Sequence, residues 1–458
     1  MKYLTHPTFF RFLFSLIGIV VLVVFNPTQN ASKSLSDVSL DSLSPEEEYT
    51  LNHFYYAEKA QQVDSFLNLA QHVYGFNGNA LVSLQGQVVL KESYGKIIPG
   101  GKDTLPVDAA FQLASISKQF TAVGILLLVQ DGVIGLDQEL SDFIPEVPYP
   151  DITILQLLHH TSGLPNYMYL LEHHWKEERL PNNEELIQLL AQHPYPHYFR
   201  PGRRHDYSNT GYALLASVIE RVSQQSYARF MQERIFLPLG MKNAFVLSIW
   251  DEASQADRIK GYYKRWRRWA EYQPTVHDGI VGDKGIYASV YDLYLWDRGL
   301  EEGKLLHQDL LTEAYTPGLI RERYPFPYGY GFRIRYANDQ KIVYHNGRWE
   351  GFRNSFHRCI ESGNTIVLLS NNDFRMVDTL RKKIERILAN TPVNHDLEII
   401  QTTMKHGYAF GKQLYDLKQA ENPGYRLNQE LLNESIRYFN SIGKQQLSDI
   451  LEQMATHS

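Results

Sequence analysis

The chain has 458 residues, a formal net charge of −6 at pH 7 and 43% hydrophobic residues. This length and composition allow a large globular core, and the acidic balance excludes a nucleic-acid-binding field over the whole surface. The single cysteine, Cys359, excludes an internal disulfide and leaves no cysteine near the N-terminus for lipid attachment.

The N-terminal 31 residues have the pattern of an export segment. Lys2 and Arg11 precede an uncharged apolar run over residues 12–25. This run suits a signal-peptide core and is shorter than the roughly 20 residues that span a bilayer. Counted from Phe9, it is long enough to serve as an anchor. We therefore predict that residues 1–31 are a signal peptide or an N-terminal anchor. The protein would then be exported, and either periplasmic or membrane-anchored on the outer side of the inner membrane.

A linker and a helix precede the first predicted strands. Residues 32–50 are rich in Ser, Asp and Glu and are predicted to be a linker. The pattern from about 50 to 74 is helical. The stretch ALVSLQGQVVLKESYG then predicts two strands joined at Gln85-Gly86, because alternating apolar residues flank a turn dipeptide.

The middle of the chain, residues 135–260, has a mostly helical pattern. Strands are predicted again over residues 328–371, and residues 373–388 resemble a closing helix. Strands at both ends with helices between them predict an α+β domain over residues 51–390. Its sheet would be built from both ends of the domain, with an all-helical subdomain inserted between them.

The C-terminal extension, residues 391–458, is predicted to be helical and separate. LNQELLNESIRYFNSIGKQQLSDILEQM has apolar residues at helical spacing, as in one helical-hairpin repeat unit. One such unit cannot bury its own apolar face. We therefore expect it to dock on the main domain or on another chain, which makes a protein partner one of two alternatives.

The basic stretch YYKRWRRWAEY, residues 262–272, has two interpretations. Its interleaved aromatic and basic residues could stack on bases and hold phosphates. The favoured interpretation is a twisted strand or hairpin at the rim of a cleft, with its aromatic side chains packed and its charges in water. We predict no nucleic-acid partner.

The stretch LASISKQFTAVGILLLVQDG, residues 113–132, contains the first candidate catalytic residues. Its apolar residues leave no clearly polar face, which is typical of a helix buried on most sides. Ser115 and Lys118 are three residues apart and would be neighbours on that helix. Ser115 could simply cap the helix. A buried lysine in the first turn, however, should have a lowered pKa, and a neutral amine beside a hydroxyl is a general base beside a nucleophile.

Two further motifs have both structural and catalytic interpretations. Tyr207-Ser208-Asn209 lies just before the apolar run ALLASVIERV, where Ser208 or Asn209 could cap a helix. His345-Asn346-Gly347 lies between strand patterns, where Asn346-Gly347 could be a hairpin turn. The order and context of all three motifs together favour the catalytic interpretation.

Residues from about 52 to 390 resemble the serine β-lactamase and penicillin-binding-protein superfamily. The resemblance is to the branch with class C β-lactamases, DD-peptidases, D-aminopeptidases and related esterases. Besides the three motifs, it rests on ITILQLLHHTSGLP (152–165), FRPGRRHDYSNTGYALLASVIE (199–220), FLPLGMKNA (236–244) and GDKGIYASVYDLYLW (282–296). It implies a β-lactamase-like fold, with an antiparallel sheet flanked by helices.

The resemblance also implies roles for individual residues. Ser115 would be the acylated nucleophile, with Lys118 and Tyr207 as the pair that takes its proton and later activates water. Asn209 would orient the acyl side of the substrate or the lysine. The backbone N–H groups of Ser115 and Arg348 would form the oxyanion hole.

The third motif departs from the pattern of the lactamases and many DD-peptidases. His345 stands where they have lysine, a cation that helps to recognise a substrate carboxylate, and histidine would be mostly neutral at pH 7. Arg348, Arg353 or Lys284 could replace that charge. Gly347 is expected to leave room for substrate along an edge strand.

A second departure is Asp283-Lys284, in a segment that the family usually fills with small residues. This change is expected to reshape the wall of the cleft.

The histidine pairs do not predict a metal site. His159 and His160, like His173 and His174, are adjacent and would point apart on a helix. The sequence has no His-Glu-x-x-His motif and no cysteine cluster. No metal or other cofactor is predicted, and His160 is expected to be structural.

These observations predict an exported serine hydrolase that cleaves an ester or amide through an acyl-enzyme on Ser115. Its substrate would be a small ester, a D-amino-acid peptide or a peptidoglycan-type fragment, with β-lactam hydrolysis secondary. The alternative is a non-catalytic ligand-binding or sensory protein that uses the same pocket and binds a partner through its C-terminal helices.

Overall fold

The computed structural model describes residues 59–247, 258–337 and 340–389, and, in the C-terminal extension, residues 399–400, 403, 408–421, 423–427, 429–441 and 445–457. The predicted export segment and linker lie outside these residues. Of the helices that the structure describes, none is both long and apolar enough to cross a membrane.

The main sheet is antiparallel and has six strands in the order β10-β11-β12-β13-β1-β2. In chain order, the strands are β1 (Gly78–Leu84), β2 (Gln87–Tyr94), β3 (Phe111–Gln112), β4 (Phe245–Val246), β5 (Tyr262–Arg265), β6 (Arg268–Glu271), β7 (Ile286–Ala288), β8 (Gly318–Ile320), β9 (Tyr324–Phe326), β10 (Arg333–Ala337), β11 (Gln340–Trp349), β12 (Phe352–Cys359) and β13 (Thr365–Ser370). A small sheet, β3-β7-β4, was not predicted from the sequence.

The helices lie mostly between β3 and β7 and after β13. They are α1 (residues 59–69, continued by the π-helical turn Ala70–Tyr74), α2 (Ser117–Gln130), α3 (Ile154–Leu158), α4 (Tyr167–His174), α5 (Asn183–Gln192), α6 (Asn209–Ser223), α7 (Tyr227–Met231), α8 (Leu237–Leu239), α9 (Val290–Glu301), α10 (Gln308–Ala314), α11 (Val377–Leu388), α12 (Tyr408–Glu421), α13 (Gln429–Ser441) and α14 (Gln445–His457). The predicted helical insertion is confirmed.

The two ends of the domain meet at the centre of the main sheet. β1 pairs antiparallel with β13, and every residue of both strands is buried. Strands buried on both faces are largely apolar, as β13 is between Thr365 and Ser370, whereas β1 also buries the polar side chains of Asn79 and Ser83. The predicted hairpin turn is also present, because Gln85 and Gly86 both have positive φ between β1 and β2. The predicted sheet built from both ends of the domain is therefore confirmed.

Helix α2 forms the centre of the core. Of its fourteen residues, the first twelve are buried, from Ser117 to Leu128. Phe120 stacks on Trp296 of α9 with ring centroids 4.0 Å apart. Helices α6 and α7 pack against α2, which is consistent with apolar residues on all of its faces. The N-terminus of α2 is consequently held rigidly near the core.

The C-terminal extension is helical in the part that the structure describes. Helices α13 and α14 pack against each other, and α13 also contacts the π-helical turn Ala70–Tyr74. Of the two predicted alternatives, the structure therefore has the extension docked on the main domain.

The basic stretch folds as a hairpin. β5 and β6 pair antiparallel, with Trp266 at the turn and 93% exposed. Tyr272, just after β6, lines the same pocket as Ser115. The predicted hairpin at a cleft rim is therefore observed, although Trp266 does not pack as expected of the aromatic side chains.

Candidate active site

Ser115 lies in a 3-10 turn, Ala114–Ile116, directly before α2. It is half-buried within an otherwise buried run, and it lines a pocket of about 380 Å³. The residue that precedes α2 is Ile116, and no side chain caps this end of the helix. The capping interpretation of Ser115 is therefore wrong. Its hydroxyl is free to face the pocket.

Lys118 lies in the first turn of α2 and is completely buried. Its Nζ donates hydrogen bonds to Asn209 Oδ1 and to the backbone oxygen of Asp283, both at 2.8 Å. The same nitrogen is 3.4 Å from Ser115 Oγ. Of the two orientations predicted for Asn209, the structure therefore has the one toward the lysine. The amine is held beside the serine by two short hydrogen bonds.

The environment of Lys118 favours the neutral amine. The pKa of Lys118 is about 8 instead of the usual 10.5: burial is the main cause of the decrease, the carboxylate of Asp283 opposes it, and the positive charge of Arg333 adds to it. With a pKa of about 8, about one tenth of the amine is neutral at pH 7. A population of this size is enough for general-base catalysis.

Tyr207 lies in the loop before α6 and is hydrogen-bonded to Ser115. Lys118 Nζ is 4.9 Å from the centroid of the Tyr207 ring. Burial raises the pKa of Tyr207, although a hydrogen bond to Ser115 and the charge of Arg333 act in the opposite direction. Tyr207 therefore remains a phenol near neutral pH. It can pass a proton on, while Lys118 is the member of the pair that can be unprotonated.

His345 of β11 is buried and its tautomer follows from its contacts. Its Nδ1 is 2.7 Å from the backbone oxygen of Asn346, which can only accept, so Nδ1 must hold the proton. The acceptor, Nε2, is 3.5 Å from the Tyr207 hydroxyl and 3.3 Å from that of Tyr328. Burial and two nearby cations, Arg333 and Lys118, hold the pKa of His345 well below its usual range. The ring is neutral and can accept a hydrogen bond from Tyr207.

His160 holds the loop that bears Tyr207. It adopts a positive φ of 58° after α3 and is completely buried. Its Nδ1 accepts from the backbone N–H of Ser208 at 3.1 Å, and its backbone oxygen accepts from that of Asp206 at 2.9 Å. These contacts agree with the structural role expected of His160. Ser208 itself caps α6, because its hydroxyl accepts from the backbone of Gly211.

The third motif is part of a strand. Asn346 pairs with Ser355 and Gly347 pairs with Asn354 within the β11-β12 hairpin. The hairpin interpretation of Asn346-Gly347 is therefore wrong, and the turn comes later, at residues 350–351, which both have positive φ.

Gly347 makes room for protein and not for substrate. A Cβ at this position would lie 2.1 Å from the backbone oxygen of Leu113 and 3.3 Å from Cβ of Ala114. The expectation that Gly347 leaves space for a ligand is therefore wrong. β11 is also an interior strand of the sheet, although β10 pairs with it only as far as Tyr344. The glycine lets β11 approach the Ser115 turn, so that Ser115 and Arg348 line one pocket. Their proposed oxyanion role stays a prediction.

The three predicted replacements for the missing lysine charge differ in their surroundings. Arg348 is exposed at the pocket. Arg353 forms an ion pair with Asp373 at 2.7 Å, and Lys284 is 3% exposed and bonded within the protein. The charges of Arg353 and Lys284 are therefore already paired or hydrogen-bonded within the protein.

Arg333 of β10 is a site residue that the sequence analysis missed. Its guanidinium carbon lies 5.2 Å from the centroid of the Tyr207 ring and 5.8 Å from that of Tyr328. In the described part of the chain, no carboxylate forms an ion pair with it. The stretch GFRIRY alternates apolar and basic residues, which predicts a strand but assigns no function to either arginine. No sequence signal distinguishes Arg333 from Arg335 on the same face, because their distances from Ser115 depend on the β10-β11 register.

The four candidate histidines do not converge. His159 packs on Tyr330, and His174 stacks on His193 with ring centroids 3.8 Å apart. Within the described ranges, no group of three or more His, Cys, Asp or Glu side chains is arranged to hold a metal ion.

Comparison with known proteins identifies the family. The Beta-lactamase family model matches residues 69–391. The chain is 32% identical over 333 residues to penicillin-binding protein 4* of Bacillus subtilis, covering 69% of this chain and 73% of that protein. It is 23% identical over 329 residues to the D-aminopeptidase of Brucella canis, covering 71% of this chain and 62% of the relative. The chain thus spans less than two thirds of that aminopeptidase.

A solved structure supports the same fold. The octameric penicillin-binding protein homologue from Pyrococcus abyssi superimposes with a TM-score of 0.63 at 23% identity, over 75% of this chain and 82% of that one. The fold and the serine site define a serine hydrolase. The chain belongs to the β-lactamase family. The predicted superfamily and fold class are confirmed.

Proposed function

We propose that the protein cleaves peptide-like amides and esters through an acyl-enzyme formed on Ser115. The observation that supports this most strongly is the position of the buried amine of Lys118, 3.4 Å from Ser115 Oγ. Ser115 itself lies in a turn that lines a pocket. A lysine that only stabilised the fold would gain little from such a position, because burial of an ammonium costs free energy.

The contacts suggest a sequence of steps. As Oγ of Ser115 bonds to the substrate carbonyl carbon, its proton passes to the neutral amine of Lys118, either directly or through the hydroxyl of Tyr207. Collapse of the tetrahedral intermediate breaks the bond to the leaving group, which takes up that proton. Water then attacks the acyl carbonyl carbon and gives a proton to the same base. The bond to Ser115 Oγ breaks, Oγ takes that proton back, and the acid product leaves. Backbone N–H groups of Ser115 and Arg348 are the proposed donors to the oxyanion.

Covalent labelling tests the nucleophile without knowledge of the substrate. After treatment with an alkyl fluorophosphonate, we expect the intact mass of the wild-type protein to increase by one adduct, and that of Ser115→Ala to stay unchanged. Ser117→Ala is the matched control, because Ser117 is buried in α2 and its hydroxyl accepts from the backbone of Ile286. A folded wild-type protein without an adduct would instead support the ligand-binding alternative.

Within this proposal, a D-amino-acid peptide with a free C-terminal carboxylate is the favoured substrate, with small esters next and β-lactams secondary. The supporting feature is Arg333, a cation next to Tyr207 and His345 that has no ion-pair partner among the described residues. It would supply the charge that lysine provides in the lactamases. The names of the relatives, a penicillin-binding protein and a D-aminopeptidase, agree with peptide-like substrates.

Arg333→Gln should selectively impair cleavage of carboxylate substrates. We expect the ratio of kcat/KM for acyl-D-Ala-D-Ala to kcat/KM for its C-terminal amide to fall about 10–100-fold, as for loss of one charge-assisted hydrogen bond. Both values should also fall in common, because loss of the Arg333 charge raises the pKa of Lys118. Arg335→Gln is the control, since Arg335 lies on the same strand and pairs with Glu385. Equal losses of kcat/KM on both substrates would show that Arg333 affects the catalytic residues and does not recognise the carboxylate.

We also propose export through residues 1–31, as either a cleaved signal peptide or a retained anchor, because of their composition. The C-terminal helices dock on the main domain. That they also bind a further protein partner stays a hypothesis.

A further inference from the structure

Two charged residues are buried directly behind the proposed base. Asp283 is 2% exposed and Lys284 is 3% exposed, yet both border the pocket that contains Ser115. They occupy the segment that departs from the family pattern. A buried ion pair rarely adds net stability, so its presence next to Lys118 points to a different purpose.

The pair is completed by Tyr167 of α4. Its hydroxyl donates to Asp283 Oδ2 at 3.1 Å and accepts from Lys284 Nζ at 2.7 Å. Lys284 Nζ also donates to the backbone oxygen of Ile280 at 3.1 Å and lies 4.9 Å from the centroid of the Trp349 ring. Burial and Asp283 raise the pKa of Tyr167, which keeps it a phenol. The polar groups of these three side chains are therefore hydrogen-bonded to one another.

The same segment holds Lys118 through its backbone. The backbone oxygen of Asp283 accepts from Lys118 Nζ at 2.8 Å. The backbone oxygen of Gly282 accepts from Thr121, one helical turn further along α2, at 2.7 Å. Gly282 and Gly285 on either side have φ values of 101° and 98°, a sharply folded backbone that only glycine adopts readily. Movement of the Asp283 side chain would move the oxygen that positions the amine.

We propose that Asp283, Lys284 and Tyr167 form a positioning unit that fixes the amine of Lys118 and sets the pH range in which it can accept the proton of Ser115. This inference rests on the proposed function. In this proposal, Asp283-Lys284, the segment that departs from the family pattern, tunes the pKa of Lys118 and does not bind the substrate.

The charges of the other groups that face Lys118 also determine the direction in which its pKa changes. Arg333 of β10 is the opposing cation, and its charge favours loss of the Lys118 proton. His345 and His160 have pKa values far below the usual range and are neutral near pH 7. Its uncharged neighbours in the described part of the chain include Ser115, Asn209 and the rings of Tyr207 and Tyr212.

Asp283 is therefore the charge that keeps the proton on Lys118. It raises the pKa that burial lowers. Removal of this carboxylate should make the amine neutral at lower pH.

The test is the pH dependence of fluorophosphonate labelling of Ser115. In the wild type we expect the second-order labelling rate to rise with pH to a plateau, with a midpoint near 8, the pKa of Lys118. In the double variant Asp283→Asn/Lys284→Met, which leaves no unpaired buried charge, the midpoint should shift down by less than about one pH unit, because loss of the Lys284 cation partly offsets loss of the Asp283 carboxylate. The plateau should fall less than about tenfold.

A second variant covers the case in which the double variant does not fold. Asp283→Asn alone keeps the side-chain volume and the bonds of Lys284 to Tyr167 and to the backbone of Ile280 but removes the carboxylate, and we expect a downward shift of the same sign. The control is Lys91→Met/Asp108→Asn, which removes an exposed ion pair with an N–O distance of 3.0 Å and should leave the midpoint unchanged.

The outcomes separate this inference from the proposed function. A lowered plateau with an unchanged midpoint in both folded variants would mean that the unit is only structural, and the inference would be wrong. An absence of wild-type labelling at every pH would instead count against the proposed function itself.

Discussion

Replacement of Lys118 by alanine is expected to slow acylation of Ser115 by about 10²–10⁴-fold, the usual contribution of a general base. The physical reason is that, among the residues that the structure describes, no other group within hydrogen-bonding distance of Ser115 can be unprotonated at neutral pH, because the pKa of Tyr207 is raised by burial. The measurement is the second-order rate of labelling by an alkyl fluorophosphonate, followed by intact mass.

Lys118→Arg and Lys118→Met distinguish chemistry from packing. Arginine keeps the positive charge and stays protonated, so it should be as slow as alanine if proton transfer is the role of the lysine. Methionine keeps most of the volume and should preserve the fold. Recovery of labelling in Lys118→Arg would contradict the assignment, since it would show that charge alone is sufficient.

Gly347→Ala is expected to have the second largest effect, although Gly347 bears no reactive group. The new Cβ would lie 2.1 Å from the backbone oxygen of Leu113, so β11 and the Ser115 turn must separate. Overpacking of this kind costs about 1–3 kcal/mol of unfolding free energy. We expect labelling to fall at least about 100-fold as well, because a displacement of about 1 Å near the chemistry has effects of this size. Denaturant unfolding and labelling rates measure the two effects.

Gly211→Ala is the matched control for this substitution. Gly211 is also buried and lies in α6, but a Cβ there would be 3.5 Å from Leu157, which is ordinary contact. Alanine is favoured over glycine in a helix interior by about 0.5–1 kcal/mol, so this variant should be neutral or slightly stabilised. If Gly347→Ala behaved in the same way, the close approach of β11 to the serine turn would not matter for catalysis.

The distribution of charge in the site differs from that expected when lysine occupies the third motif. His345 is neutral and uses its acceptor nitrogen toward Tyr207 and Tyr328. The cation stands on the neighbouring strand, as Arg333. Arg333 therefore lowers the pKa of Lys118 while Asp283 raises it, and the two charges together influence how readily the base loses its proton.

Local sequence patterns were sufficient for much of the fold. The continuous apolar run of α2 predicted its burial, since a helix without a polar face can only be stable inside a core. Gln85-Gly86 predicted the β1-β2 hairpin, because that turn requires positive φ at both positions. The burial of Lys118 followed from the same helix pattern, and so did the idea of a lowered pKa.

Local patterns failed where a residue's environment comes from distant parts of the chain. Asn346-Gly347 has the sequence of a turn but lies in β11, because pairing with β12 and contact with Leu113 override the local preference. Arg333 could not be distinguished from Arg335 until the register of the strands was known.

The sequence by itself determined the family, the α+β architecture and the candidate residues of the three motifs. Only the tertiary structure decided which charges are available to a substrate and which are bonded within the protein, as Lys284 is to Tyr167. Proton affinity depends on burial and on charges within a few ångströms, and these distances arise from long-range packing that spacing along the chain does not specify.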